Sequence, residues 1–268
     1  MDVSTAAALL EQESAELDQL VDGLRPEQWA LNTPSVGWTI ADQIAHLHWT
    51  DLVATQSLRK DPAFDALVAD VLSGARADTV DSEAHRLADQ SPQELVAQWR
   101  AGRQELLAAA SEADPAVSVS WFGPPMRPLT MITARIMETW AHGLDVFDTI
   151  GEAKPAGPAL AAVARIGVRT RDFAFASRGL EVPEADIRVE LSMPDDSLLS
   201  YGPETAQERV EGSAWAFAAV VTQRRHIDDV RLEAHGPAAA QWLDIAQAFA
   251  GRPSRGPAAG QRTTGGRR

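Results

Sequence analysis

Arg135-Ile136-Met137-Glu138-Thr139-Trp140-Ala141-His142-Gly143-Leu144-Asp145 is the stretch that decides how this chain reads. It lies in a segment, 129–149, whose apolar residues recur at three- and four-residue spacing, which predicts a helix closed by Gly151. Glu138 and His142 are four apart. At about 100° per residue they differ in direction by about 40° and share one face. One helix thereby presents a carboxylate and an imidazole to a common point.

A partner for that face is found upstream. The run Trp38-Thr39-Ile40-Ala41-Asp42-Gln43-Ile44-Ala45-His46-Leu47 opens a second helix, expected from about residue 38 to 59 with Thr39 as cap. His46 falls on the face of Trp38, Asp42 and Val53. His48 points roughly 160° away, so only one of the two histidines can face a shared interior. Two further long helices are expected at 3–24 and at 92–113, the latter with Ser91 as cap and Pro92 in its first turn. Shorter helices fit 62–73 and 83–89. Four long amphipathic helices with irregular connections predict a bundle that can build a site from facing helices.

The pattern changes after Pro155. A helix is expected at 158–179, and Ile187–Met193 alternates at period two as a strand. Further strands fit 199–202, 206–211 and 230–234, and helices fit 213–222 and 237–249. The fold class is therefore α+β: a helical unit at 1–155, then a linker helix with a small antiparallel sheet at 156–251. The last stretch, 252–268, holds five arginines and no acid among Gly and Pro, and reads as a disordered tail.

Composition narrows the function. The 268 residues carry 24 Lys+Arg against 38 Asp+Glu, a net charge of −14, and no cysteine. An acidic body argues against nucleic-acid or anionic-membrane partners, which need a basic field, and favours a small-molecule partner. The missing cysteines exclude disulfides, Cys-ligated metals and a protein thiol nucleophile. The N-terminus lacks the basic region of a signal peptide and no run is apolar enough to span a membrane, so a cytoplasmic location is expected.

Two imidazoles and one carboxylate, His46, His142 and Glu138, make a mixed N/O set suited to zinc, then to nickel, iron or manganese. Three protein ligands leave a coordination position open to water or substrate. The bland alternative is a chance Glu–His pair and a core histidine.

The two motifs together resemble the metal-ligand helices of the DinB-like superfamily, and within it the mycothiol-dependent maleylpyruvate isomerase group of actinobacteria. The resemblance extends through Arg209-Val210-Glu211-Gly212-Ser213-Ala214-Trp215 and His235-Gly236-Pro237 and covers about 1–251. It implies a DinB-like four-helix bundle followed by an α+β domain of the sterol carrier protein type. It further implies a divalent metal, usually zinc, held by His46, Glu138 and His142, that activates the thiol of mycothiol or a similar low-molecular-weight cofactor for transfer or isomerisation. An arginine from the second domain enters the family's active site. In Thr222-Gln223-Arg224-Arg225 the match is Arg224, with Arg225 as alternative, and the glycine that usually precedes it is absent.

Arg135, three before Glu138, is either a fork for a substrate carboxylate or a partner of Glu138 or Asp42. Asp145 is either a support for His142 or a helix-surface acid. Two other functions remain open: a non-catalytic metal- or ligand-binding protein, and a metal-activated hydrolase with Asp42 as its base.

Overall fold

The computed structural model describes residues 1–75 and 78–262. It divides into two compact units, Met1–Glu152 and Ala153–Arg268. Together they form a mixed α+β protein with ten α-helices and one four-stranded sheet among the described residues.

In the first unit, α1 (Val3–Asp22), α2 (Ile40–Leu58), α5 (Pro92–Glu112) and α6 (Pro128–Ile150) are the long helices. Local chemistry sets their ends. Thr39 and Ser91 each accept from the backbone N–H three residues on, while Asp42 and Glu94 reach back to the cap, two reciprocal capping boxes. Gly151 ends α6 in the left-handed region (φ 79°), where a glycine costs least. α2 packs on α5 and α6, and α1 packs on α6 and α5, while α3 (Pro62–Leu72) and α4 (Thr79–Ala88) lie against α2. The core gathers Leu17, Ile44, Leu47, Val53, Leu95 and Trp99. α2 is central, and most of its residues are buried whatever their polarity.

In the second unit the helix expected at 158–179 is two helices, α7 (Leu160–Arg169) and α8 (Arg171–Ala176). The break falls at Thr170, whose hydroxyl donates back to the carbonyls of Ile166 and Gly167, both at 3.0 Å. Such back-bonding competes with the helix ladder and bends it.

The sheet comprises β1 (Ile187–Ser192), β2 (Leu198–Tyr201), β3 (Glu208–Ser213) and β4 (Leu232–His235) in the order β2-β1-β3-β4. It is mixed, a correction to the antiparallel expectation: β1 and β3 run parallel, with Val189 opposite Val210, and only the outer pairs are antiparallel. The chain leaving β2 crosses the start of β1 to reach β3. Gly202 (φ 77°) makes that crossing, where a Cβ would stand 2.2 Å from the Ile187 carbonyl oxygen. α9 (Ala214–Val221), apolar and buried almost all round, lies among β1, β3 and α7. α10 (Pro237–Ile245) covers β3 and β4.

The stretch 252–262 is not free chain, which corrects the tail expectation for these residues. Ser254 N–H donates to Gln247 Oε1 (3.2 Å), its carbonyl accepts from Gln223 Nε2 (2.8 Å) and from Arg178, and Gly260 N–H donates to Asp229 (2.9 Å). Composition marked this segment as unable to fold alone, but its backbone finds polar side chains elsewhere in the second unit. The remainder of the expected tail, 263–268, lies outside the described residues. No helix among the described residues is long and apolar enough to cross a membrane.

Candidate metal centre

α2 and α6 bring His46, Glu138 and His142 together, with one ligand-type atom from each within 4.8 Å of the others. Glu138 Oε2 lies 3.3 Å from His46 Nε2 and 3.1 Å from His142 Nε2. The imidazoles stand 4.4 Å apart by ring centroid. Trp38 covers both, at 5.2 Å from His46 and stacked at 5.7 Å on His142.

Burial drives His46 down to about pKa 4, helped by the neighbouring His142 and Arg135 charges and opposed by Glu138. Burial also raises Glu138, but the hydrogen bonds and charges of His142 and His46 outweigh it and hold the carboxyl well below its ordinary range. An anion facing imidazole nitrogens in a largely buried site is a donor set that a divalent cation fits, since each of the three groups offers it a lone pair. His46 Nδ1 is buried with no hydrogen-bond partner.

Behind His142 stands a residue that sequence reasoning did not single out. Gln43, fully buried one turn before His46, places Oε1 2.5 Å from His142 Nδ1 and donates from Nε2 to Thr33 Oγ1 at 2.8 Å. The available signal was its spacing of three from His46, which puts both on one side of α2. Trp38 was seen on that face but not read as part of the site.

Other sequence-selected residues go elsewhere. His48 turns toward α5, against Gly102, as the 160° argument required. Arg135 does not reach for Glu138, Asp42 or an open pocket: it is 1% exposed and donates to Asp51 Oδ1 at 3.0 Å, which corrects its reading as a substrate fork. The helix was read for its Glu138 face, and Asp51 lies a further turn along α2 where no motif pointed.

Asp42 is committed as well. Its Oδ2 accepts from the Thr39 N–H and hydroxyl, both at 2.7 Å, and its Oδ1 lies 2.8 Å from His85 Nδ1, so the hydrolytic reading loses its base. Asp145 is fully buried and accepts from the Ser35 hydroxyl at 2.9 Å, so it is not a surface acid and it does not support His142.

Within the second unit, Arg225 is 2% exposed with its guanidinium 5.6 Å over Trp215, whereas Arg224 is partly exposed and donates to the Thr222 carbonyl at 2.8 Å. Gln223 adopts φ 58°, the conformation a glycine takes without strain, so the turn keeps a left-handed residue although the glycine is missing.

Residues 10–147 match the model of the mycothiol maleylpyruvate isomerase N-terminal domain. An uncharacterized protein of Mycobacterium tuberculosis, found in strains CDC 1551 and H37Rv, is 45% identical over 250 residues, covering 92% of this chain and 96% of the relative. Among solved structures, mycothiol-dependent maleylpyruvate isomerase superposes with TM-score 0.57 at 15% identity, over 84% of this chain and 90% of that one. A histidine-to-alanine mutant of that enzyme gives 0.58 over 89% and 96%. The length of the family match and the identity of the mycobacterial relative lead to one conclusion: the chain belongs to the family of the mycothiol maleylpyruvate isomerase N-terminal domain.

Proposed function

We propose that this protein is a divalent-metal-dependent enzyme that uses a low-molecular-weight thiol of the mycothiol kind for transfer to, or isomerisation of, a small molecule. The observation that carries this is the convergence of His46, Glu138 and His142 at the α2–α6 contact. Zinc is the metal we assign, because two imidazoles and a carboxylate with a fourth position open are its usual catalytic set. When bound, such a metal lowers the pKa of a coordinated thiol, so that the nucleophile exists as thiolate at neutral pH.

The protein's own residues do the rest. His46 and His142 supply neutral nitrogens and Glu138 one negative charge, so a dication would leave the centre net positive toward an incoming thiolate. Trp38 walls one side of both rings. Arg224, the position that the family resemblance matches, is our choice for pairing with a substrate carboxylate; it is partly exposed, whereas Arg225 is buried. The long-helix pairing and the mixed sheet support a DinB-like bundle followed by a domain of the sterol carrier protein type.

Elemental analysis of the purified protein and of its His142→Ala variant tests the centre. About one zinc per chain, lost in the variant, supports it. A parent that takes up no metal after zinc is added back, or a variant that holds it as tightly, overturns it. Turnover of an electrophilic small molecule that requires both the metal and an added thiol then supports the reaction class.

A further inference from the structure

We infer that Gln43 is a positioning residue that sets the tautomer of His142 and so delivers its Nε2 as a lone pair to the centre. The inference deepens the proposed function; the proton that it places on Nδ1 follows from the Gln43 contact and needs no metal, whereas the lone pair at Nε2 belongs to the metal-bound centre. It follows from the polarity of a chain of hydrogen bonds that starts at a backbone carbonyl.

Thr33 Oγ1 lies 2.9 Å from the Trp38 carbonyl and 3.5 Å from the Ser35 carbonyl. Carbonyl oxygens only accept, so the single hydroxyl proton of Thr33 is spent there. Thr33 must then accept from Gln43, which fixes the Gln43 amide: its NH₂ faces Thr33 at 2.8 Å and its carbonyl oxygen faces His142 Nδ1 at 2.5 Å. That oxygen accepts, so Nδ1 carries the proton. Nε2 points at Glu138 Oε2, 3.1 Å away: in the metal-free protein that contact takes a proton on Nε2 as well, and a bound metal would take that proton's place at the Nε2 lone pair.

The chain is protected from rearrangement. Gln43 is fully buried and the Thr33 side chain nearly so, and Thr33 is also tied to the Trp38 carbonyl through its own N–H at 2.8 Å. An isolated imidazole has no such bias toward an Nδ1-bound proton. A hydrogen bond to the second ring nitrogen is the usual means by which a protein orients a metal-binding histidine, and losing it costs about 10–100-fold in metal affinity.

Three variants test this. Gln43→Glu keeps an acceptor toward Nδ1, Gln43→Leu removes it, and Thr33→Val frees the amide to flip its NH₂ toward His142. Two readouts are taken: imidazole ¹⁵N shifts of His142 in the metal-free protein, and the dissociation constant for zinc by competition with a chelator. The parent is expected to carry a proton on Nδ1. Gln43→Leu and Thr33→Val shift the ring toward a proton on Nε2 alone, with zinc binding about 10–100-fold weaker for Gln43→Leu and less so for Thr33→Val. Gln43→Glu stays near the parent. A parent His142 with no proton on Nδ1, or a folded Gln43→Leu with unchanged Nδ1 protonation and zinc affinity, overturns the inference. Correct tautomers in all variants of a protein that never binds zinc would overturn the metal reading and leave the tautomer assignment standing.

Discussion

The Asp51–Arg135 pair offers the sharpest test of how the interior is held. Both side chains are nearly sealed, at 4% and 1% exposed, and they are joined by a hydrogen bond of 3.0 Å. Burial raises the Asp51 pKa even though Arg135 pulls it down, so desolvation outweighs the attraction. Removing one partner strands a charge without solvent. Asp51→Val or Arg135→Met alone should therefore cost about 3–5 kcal/mol, whereas the double variant, an apolar pair in the same space, should be near neutral or more stable. For a domain of this size the singles correspond to a fall in melting temperature of roughly 6–20 °C. Calorimetric melts of the parent, both singles and the double close the cycle. Additive losses in the double, or singles that lose under about 1 kcal/mol, would refute the reasoning. A substrate-facing Arg135 predicts something else: a raised KM with stability unchanged.

Three further outcomes are expected. Gly102→Ala puts a Cβ 3.1 Å from His48 Nδ1, and crowding there should outweigh the helix-propensity gain of about 1 kcal/mol; a melt should show a net loss that turns into a gain in a His48→Ala background, and a gain in the parent would contradict the packing. At Gln223 both Gly and Ala lose the bonds to the Ala246 and Ser254 carbonyls, but Gly relieves the left-handed strain, so denaturant melts should rank Gln223→Gly above Gln223→Ala by about 1 kcal/mol, and the reverse order would deny the strain. The pH dependence follows from His46, which burial lowers from the ordinary histidine value of 6.5 to about 4 in the folded protein. Its neutral form favours the fold, so that contribution is complete above pH 6.5 and is lost as pH falls toward 4. His48, lowered by burial and by Arg86, adds in the same direction. Metal-free protein should weaken across that window and His46→Gln should flatten part of the slope; an unchanged slope would remove His46 as its cause.

What the sequence disclosed of this molecule follows a physical rule. Helix ends were legible because caps are local: Thr39, Ser91, Pro92 and Gly151 act within one turn of themselves. Glu138 and His142 were legible because a spacing of four is geometry on a single helix. Face arguments fail for α2 and α6, which are covered on nearly every side, so Asp145 read as a surface acid although it is fully buried. Parallel pairing of β1 with β3 was hidden because it depends on where β2 returns, and alternation within a strand says nothing of its neighbour's direction. Gln43 carries only a spacing of three from His46, and an amide becomes a site residue only when a second helix delivers an imidazole to it.

The same two helices explain why an ion pair that touches no ligand bears on the centre. Along α2 the polar residues Gln43, His46 and Asp51 meet His142, Glu138 and Arg135 on α6, in ascending order on one helix and descending on the other. These are three rungs of one antiparallel ladder. Sliding α2 by a turn would strand Asp51 and Arg135 at a cost of about 3–5 kcal/mol, more than a few apolar contacts can restore, so the outer rung fixes the register that sets the middle one. The double variant Asp51→Val/Arg135→Met separates the two roles: it should keep its melting temperature and still bind zinc more weakly than the parent, because apolar neighbours tolerate a slip that the ion pair forbids. Chelator competition measures this, and parent-like affinity in a stable double variant would show that the Gln43–His142 and His46–Glu138 rungs hold the register by themselves.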